Sequence, residues 1–227
     1  MKRALRALLA VLLMVSPLSR AQQPATAPDP GDRFAVAYVE TRADSAAAGR
    51  AALERYREAV RAEAGCLGVE LFEQAGRRGR FAIVESWRDA TTFDARAAEP
   101  KRQLLEALRP IRISDYDERP YKSLTLDART AAGGVAVVSH VDVAPNTQAP
   151  ELLRTLAERS RGEQGNARFV VLQHVQRANH FTVVEQWQSD AALDAHVAAA
   201  HTREYRDALQ PLTGSPLDER VYTPISR

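Results

Sequence analysis

Residues 81–87 read FAIVESW and residues 181–187 read FTVVEQW. The likeness continues outward from both. At the same spacing, Glu63 and Gly65 match Glu163 and Gly165, and Asp94-Ala95 match Asp194-Ala195. One residue is then inserted. After it, Ala107-Leu108 and Pro110 match Ala208-Leu209 and Pro211, and the stretch Asp117-Glu118-Arg119 with Tyr121 matches Asp218-Glu219-Arg220 with Tyr222. Identity in this order over this length marks one unit written twice, over residues 33–122 and 134–223, with a polar linker at 123–133 that ends next to Gly134.

Each copy has the same local pattern. A β-rich run opens it, Phe34 to Thr41 and Val135 to Val143. A stretch with apolar residues at helical spacing follows (Ala52, Tyr56, Ala59 and Val60 in the first copy), over Ser45–Ala64 and Thr147–Glu163. Gly65 and Gly165 close these helices. Two strands with a turn between them come next, Leu67–Gln74 with Arg80–Arg88, and Ala167–Gln176 with His180–Gln188. A second helical region spans Thr91–Leu108 and Ala191–Leu209, with a break expected near Pro100 in the first copy only. The last strand carries DERPY or DERVY. The order β-α-β-β-α-β predicts an α+β fold of tandem ferredoxin-like (βαββαβ) domains. Helices cover one face of such a sheet, and the other face needs a partner, which here is the second copy.

The 227 residues are 45% hydrophobic and 26% charged, as in ordinary globular proteins. The formal net charge of +2 includes Lys2, Arg3, Arg6 and Arg20, so the remainder carries −2. No clustered basic face points to nucleic acid. Those cations flank an apolar run, Ala7–Val15, that is too short to span a bilayer. With small residues at Ser19 and Ala21, residues 1–21 read as a cleavable signal peptide, followed by a flexible leader at 22–32 rich in Pro and Ala. Export to the periplasm or medium is the expectation. Cys66, the lone cysteine, has no partner for a disulfide within the chain and reads as a small buried residue.

Three features together resemble a known family: Glu-x-Gly, then a strand ending in Glu-x-Trp, then an Asp-containing helix reaching two histidines. They are similar to the antibiotic biosynthesis monooxygenase domain. The resemblance covers nearly all of both copies. It implies a dimeric α/β barrel, formed here within the chain. Copy two carries the fuller pattern, with LDAHVAAAH supplying His196 and His201, whereas copy one has Arg96 and Lys101 there. Relatives implied by the resemblance include quinol and polyketide oxygenases and haem-degrading enzymes. The haem-degrading ones pair Trp and His with an Asn on the first strand. Trp187 and His196 fit that pattern, but the first strand of copy two offers His140 instead of Asn.

All five histidines, His140, His174, His180, His196 and His201, lie in copy two, so a working site is expected there. His180, beside a turn, reads as a surface residue. Strand alternation places Phe181, Val183, Glu185 and Trp187 on one face. Burial would raise the pKa of Glu185 and suit it to proton transfer. The structural alternative is an ion pair with Arg119 or Arg220. The tryptophans read as core or barrel lining, with Trp187 a candidate pocket wall. On a continuous helix, His196 and His201 would sit about 500° apart, off a shared face, so no metal site is expected. Neither a Rossmann glycine fingerprint nor a HExxH motif occurs.

These readings assemble into a cofactor-independent monooxygenase acting with O2 on a quinol or polycyclic phenol. His196 is the expected base, with His140 and Glu185 beside it, and Trp187, Phe181 and His201 binding substrate. The alternatives are a cell-envelope module binding haem or another hydrophobic ligand, a haem-degrading monooxygenase, or a scaffold whose sites have decayed. A further homodimer is also open.

Overall fold

In a computed structural model of the chain, residues 33–127, 129, 134–145 and 147–226 are described. The expected signal peptide and leader, and residues 128 and 130–133 of the expected linker, lie outside them. The first copy contributes β1 (Arg33–Glu40), α1 (Ala46–Arg61), β2 (Cys66–Gln74), β3 (Arg80–Trp87), α2 (Ala90–Asp94), α3 (Ala98–Leu108) and β4 (Asp117–Thr125). The second contributes β5 (Val135–Asp142), α4 (Ala149–Arg161), β6 (Asn166–His174), β7 (His180–Trp187), α5 (Asp190–Ala198), α6 (Ala200–Leu209) and β8 (Asp218–Pro224). Strand β4 runs to Thr125, so the first three residues of the expected linker belong to it, with Ser123 and Thr125 paired to β6 and an irregularity at Leu124.

All eight strands close into one antiparallel barrel in the order β1-β3-β2-β8-β5-β7-β6-β4. Within each copy the order is that of a ferredoxin-like sheet. The copies join at two seams, where Phe72–Gln74 pair with Tyr222–Pro224, and Tyr121–Thr125 with Val171–His174. A sheet edge left open would expose unpaired N–H and C=O groups, and closure removes all such edges.

Alternation along each strand then divides the apolar residues between two faces. One set, including Phe34, Val84, Tyr121, Val138, Val184 and Tyr222, fills the barrel interior with side chains from both copies. The other set lies under the helices, as two separate cores. One is built on Leu53, Ile83 and Trp87, the other on Leu153, Val183 and Trp187. Both tryptophans are fully buried beneath helices, so they do not line the barrel.

Gly65 and Gly165 sit in the turn between the first helix and second strand of their copies, with φ of 92° and 84°. A Cβ there would lie 2.4 Å from Thr92 Cβ or 2.6 Å from Ala192 Cβ. These glycines let the second helical region pack close to the turn that carries Glu63 or Glu163.

Candidate active site

The two helix-covered cores each hold a carboxylate on the Glu-x-Trp strand, and their surroundings differ. In copy two, Trp187 Nε1 donates to Glu185 Oε2 at 2.8 Å. His196 Nε2 stands 3.5 Å from the same oxygen. The His196 ring stacks on Trp187, with centroids 4.6 Å apart, and meets Phe169 edge-on. Its other nitrogen, Nδ1, is 2.6 Å from Glu163 Oε1, and His201 Nε2 is 3.0 Å from that oxygen. A continuous path therefore runs Glu185–His196–Glu163–His201, from a buried carboxylate to a partly exposed imidazole.

The second helical region makes this path. It is not one helix. Residue Ala199 takes an extended conformation (φ −64°, ψ 145°) and separates α5 from α6. The break turns α6, so two histidines five positions apart converge on one carboxylate. This overturns the expectation, drawn from an unbroken helix, that they face apart. In copy one the break comes at Ala95–Ala97, ahead of Pro100, which occupies the first turn of α3 where its missing N–H costs nothing.

Burial pushes the Glu185 carboxyl up to about 8, against the opposing hydrogen bond from Trp187. Burial also lowers the His196 pKa, offset in part by Glu163. At neutral pH the pair is therefore a neutral acid beside a neutral imidazole. Accepting Nδ1–H, the Glu163 carboxylate selects the tautomer with a free lone pair on Nε2. The arrangement parallels a base oriented by an acid.

Beside this pair lies a cavity of about 100 Å³, walled by Val137, Leu156, Phe169, Val183, Leu193 and Tyr205. Ser139 also lines it. Its Oγ is buried and has no hydrogen-bond partner among the described residues. An unpaired buried hydroxyl costs about 1–3 kcal/mol. Val197 and Val221, each 40% exposed, form an apolar rim at the opening.

Copy one is built differently at the equivalent positions. Tyr56, where copy two has Leu156, places its hydroxyl on Glu85 Oε1 in a short hydrogen bond, and Trp87 Nε1 donates to Oε2 at 3.0 Å. Both carboxylate oxygens are thereby occupied. Arg96 and Lys101 replace the two histidines and turn to Glu118, at 2.6 and 3.0 Å. Glu63 accepts the Ala97 N–H at 2.7 Å instead of an imidazole. The adjoining cavity, about 280 Å³, is larger but lined by Asp94, Arg96 and Lys101 as well as apolar groups.

Of the expected site residues, the fold brings together His196, Glu185, Trp187 and His201. It does not bring His140. That side chain shares the barrel-facing side of β5 with Ala136 and Val138, next to Tyr38, Thr182 and Arg119. It does not line the pocket, and burial, aided by Arg119, pushes its pKa to about 4, which leaves a neutral and weakly basic imidazole. Phe181 is packed in the core behind the cavity, not along its wall. Neither glutamate pairs with Arg119 or Arg220, which bind Asp117 and Asp218 on their own strands. His174 caps a turn by accepting the Gln176 and Arg177 N–H groups, and His180 pairs with Asp142. Glu163 and Ser139 escaped the sequence-based assignment. Glu163 carried a signal, since it stands in the repeated Glu-x-Gly. Ser139 carried none.

The profile of a family described as antibiotic biosynthesis monooxygenase matches residues 33–104 and 136–208. The chain belongs to that family. A Bacillus subtilis (strain 168) family relative, YcnE, provisionally named a monooxygenase, is 32% identical over 65 residues, covering 29% of this chain and 68% of that protein. Solved structures share the architecture. A Fusobacterium nucleatum protein, also provisionally named a monooxygenase, superposes with a TM-score of 0.72 at 15% identity, over 86% of this chain and 92% of that one. A structure described as an anthrone oxidase-like protein gives 0.67 at 14% identity, over 88% and 94%. Both likenesses span the two halves of the barrel and speak to fold alone. No helix among the described residues is long and apolar enough to cross a membrane.

Proposed function

We propose that this family member is an exported monooxygenase that oxidises a quinol or polycyclic phenol with O2, at the pocket of the second copy. The observation that carries the reading is the oriented imidazole, His196, on the wall of a largely apolar cavity into which the buried hydroxyl of Ser139 also faces, without a hydrogen-bond partner among the described residues.

The cavity holds less than one aromatic ring, since a void that admits benzene is about 150 Å³. A polycyclic substrate therefore inserts its hydroxyl-bearing edge and rests its remaining rings on Val197 and Val221. His196 Nε2 takes the phenolic proton, and Glu163 stabilises the imidazolium. His201 offers the proton an exit toward solvent. Glu185 stays protonated, so it adds no charge that would repel the substrate anion. The anion itself reduces oxygen. For a substrate methylene flanked by aromatic rings the balance is CH2 + O2 → C=O + H2O, one oxygen atom entering the substrate and the other leaving as water. All electrons come from the substrate, so the step invokes no cofactor. The structure named for anthrone oxidation belongs to a protein with this same fold.

Haem fits the site poorly. The two His196 nitrogens face Glu163 and Glu185, and the adjoining cavity is far smaller than a macrocycle. Oxygen uptake on adding anthrone or a quinol tests the proposal. Uptake that falls about 10²–10⁴-fold in His196→Ala supports it. Uptake absent for every quinol and phenol tried, or equal in His196→Ala, refutes it.

A further inference from the structure

Glu163, His196 and His201 each present one ligand atom, and these atoms all lie within 4.8 Å of one another. We infer that they form a three-coordinate site for a divalent transition-metal ion of the zinc or cobalt class. The ligands would be His196 Nδ1, His201 Nε2 and the Glu163 carboxylate.

The donor set is two imidazoles and one carboxylate. That set suits zinc, and three protein ligands leave a fourth position for water. Ligands about 2.0–2.1 Å from a tetrahedral ion stand roughly 3.4 Å apart. The present separations of 2.6 and 3.0 Å from Glu163 are hydrogen-bond lengths. Opening these two by less than an ångström, and bringing the two imidazole nitrogens to a like distance from within the 4.8 Å that bounds the cluster, converts the hydrogen-bonded group into a coordination shell, as the ion displaces the two shared protons. The ligands come from three separately anchored segments, the turn after α4, the end of α5 and the start of α6. The Ala199 break holds the last two in register. A path for entry exists, since the Glu163 and His201 side chains are 18% and 16% exposed.

The surroundings support the ligands. With the ion on Nδ1, the proton of His196 moves to Nε2, which faces Glu185 Oε2. A ligating histidine that donates its other N–H to a carboxyl group is the usual supporting contact at metal sites. Trp187, stacked on the ring, fixes its plane. Copy one has Arg96 and Lys101 at the histidine positions and serves as a control within the same chain.

A metal-bound His196 carries its proton on Nε2 and is not the base of the oxygenase reading, so the ion and that role exclude each other; the inference is tested by itself, because binding is measured with no substrate present. Calorimetric titration of the chelator-stripped chain with Zn2+ alone is expected to show one ion per chain. Affinity should fall about 100-fold or more in His201→Ala, and likewise in Glu163→Gln, which keeps the side-chain shape. His180→Ala, which removes a surface pair with Asp142, should leave it unchanged. Titration with Co2+ should give the visible bands of a low-coordinate nitrogen and oxygen site, lost in the same two variants. Absence of Zn2+ binding, or binding that survives both His201→Ala and Glu163→Gln, overturns the inference. Circular dichroism of the two variants shows that lost binding is not lost folding.

Discussion

The cores beneath the helices of the two copies share a carboxylate and a tryptophan, and the contrast between them lies in what reaches the carboxylate. In copy one, Tyr56 and Trp87 occupy both oxygens of Glu85, and the cationic residues above turn outward to Glu118. In copy two, Leu156 gives nothing to Glu185, and His196 comes within reach from above. A duplicated scaffold can thus keep its packing while one or two side chains decide whether both oxygens of a buried acid are taken up by neighbours or one faces an imidazole. Ser139 follows the same rule. Its counterpart Ala37, paired with Ile83 as Ser139 is with Val183, carries no hydroxyl.

The contrast is broken most directly at the imidazole. His196→Ala should lower phenol-dependent oxygen uptake about 10²–10⁴-fold, whereas Arg96→Ala at the equivalent place should leave turnover within about twofold. Equal losses in both would show that the copies work alike. Exchange of the residue below the carboxylate comes next. Leu156→Tyr fills the small cavity and offers a hydroxyl to Glu185, and should cut kcat/KM at least about tenfold, with the cost borne by KM as substrate is displaced. The reverse change, Tyr56→Phe, strips Glu85 of a buried partner and should destabilise the chain by about 1–3 kcal/mol in denaturant unfolding, without affecting turnover.

Ser139→Ala has a smaller effect. Losing one substrate hydrogen bond should reduce kcat/KM about three- to tenfold while stability holds or rises, since an unsatisfied buried hydroxyl is removed. A fall in stability with unchanged kinetics would mean that the hydroxyl has an internal partner.

The smallest effect is on pH. Burial holds the Glu85 pKa above its ordinary value, against hydrogen bonds from Tyr56 and Trp87. Between the unfolded and folded pKa the native chain therefore binds more protons than the unfolded one, so this group makes stability fall as pH rises through that window. Glu85→Gln should flatten that limb of the stability profile, measured as unfolding midpoint against pH. An unchanged slope would show that Glu85 is ionised in the native state.

Much of this contrast is legible in the sequence. The repeat of Phe, Glu and Trp gave the paired sheets, and alternation put Glu185 and Trp187 on one face. Which face was not legible, because both sides of these strands are buried, one by helices and one by the barrel interior. For the same reason His140, in the same copy as His196 and on a neighbouring strand, was assigned to the wrong side. The kink at Ala199 was hidden as well. No Pro or Gly marks it, and alanine is a strong helix former, so only tertiary packing reveals that His196 and His201 converge. The difference between Tyr56 and Leu156 stood in plain view, but its meaning needs the hydrogen bond to Glu85.

The most direct test of the claim that copy two and not copy one binds the substrate is the binding stoichiometry of anthrone, titrated without oxygen into the intact chain and into Leu156→Tyr. The account predicts one molecule bound per chain, abolished by Leu156→Tyr. Two molecules per chain, or one that persists undiminished in Leu156→Tyr, would contradict it.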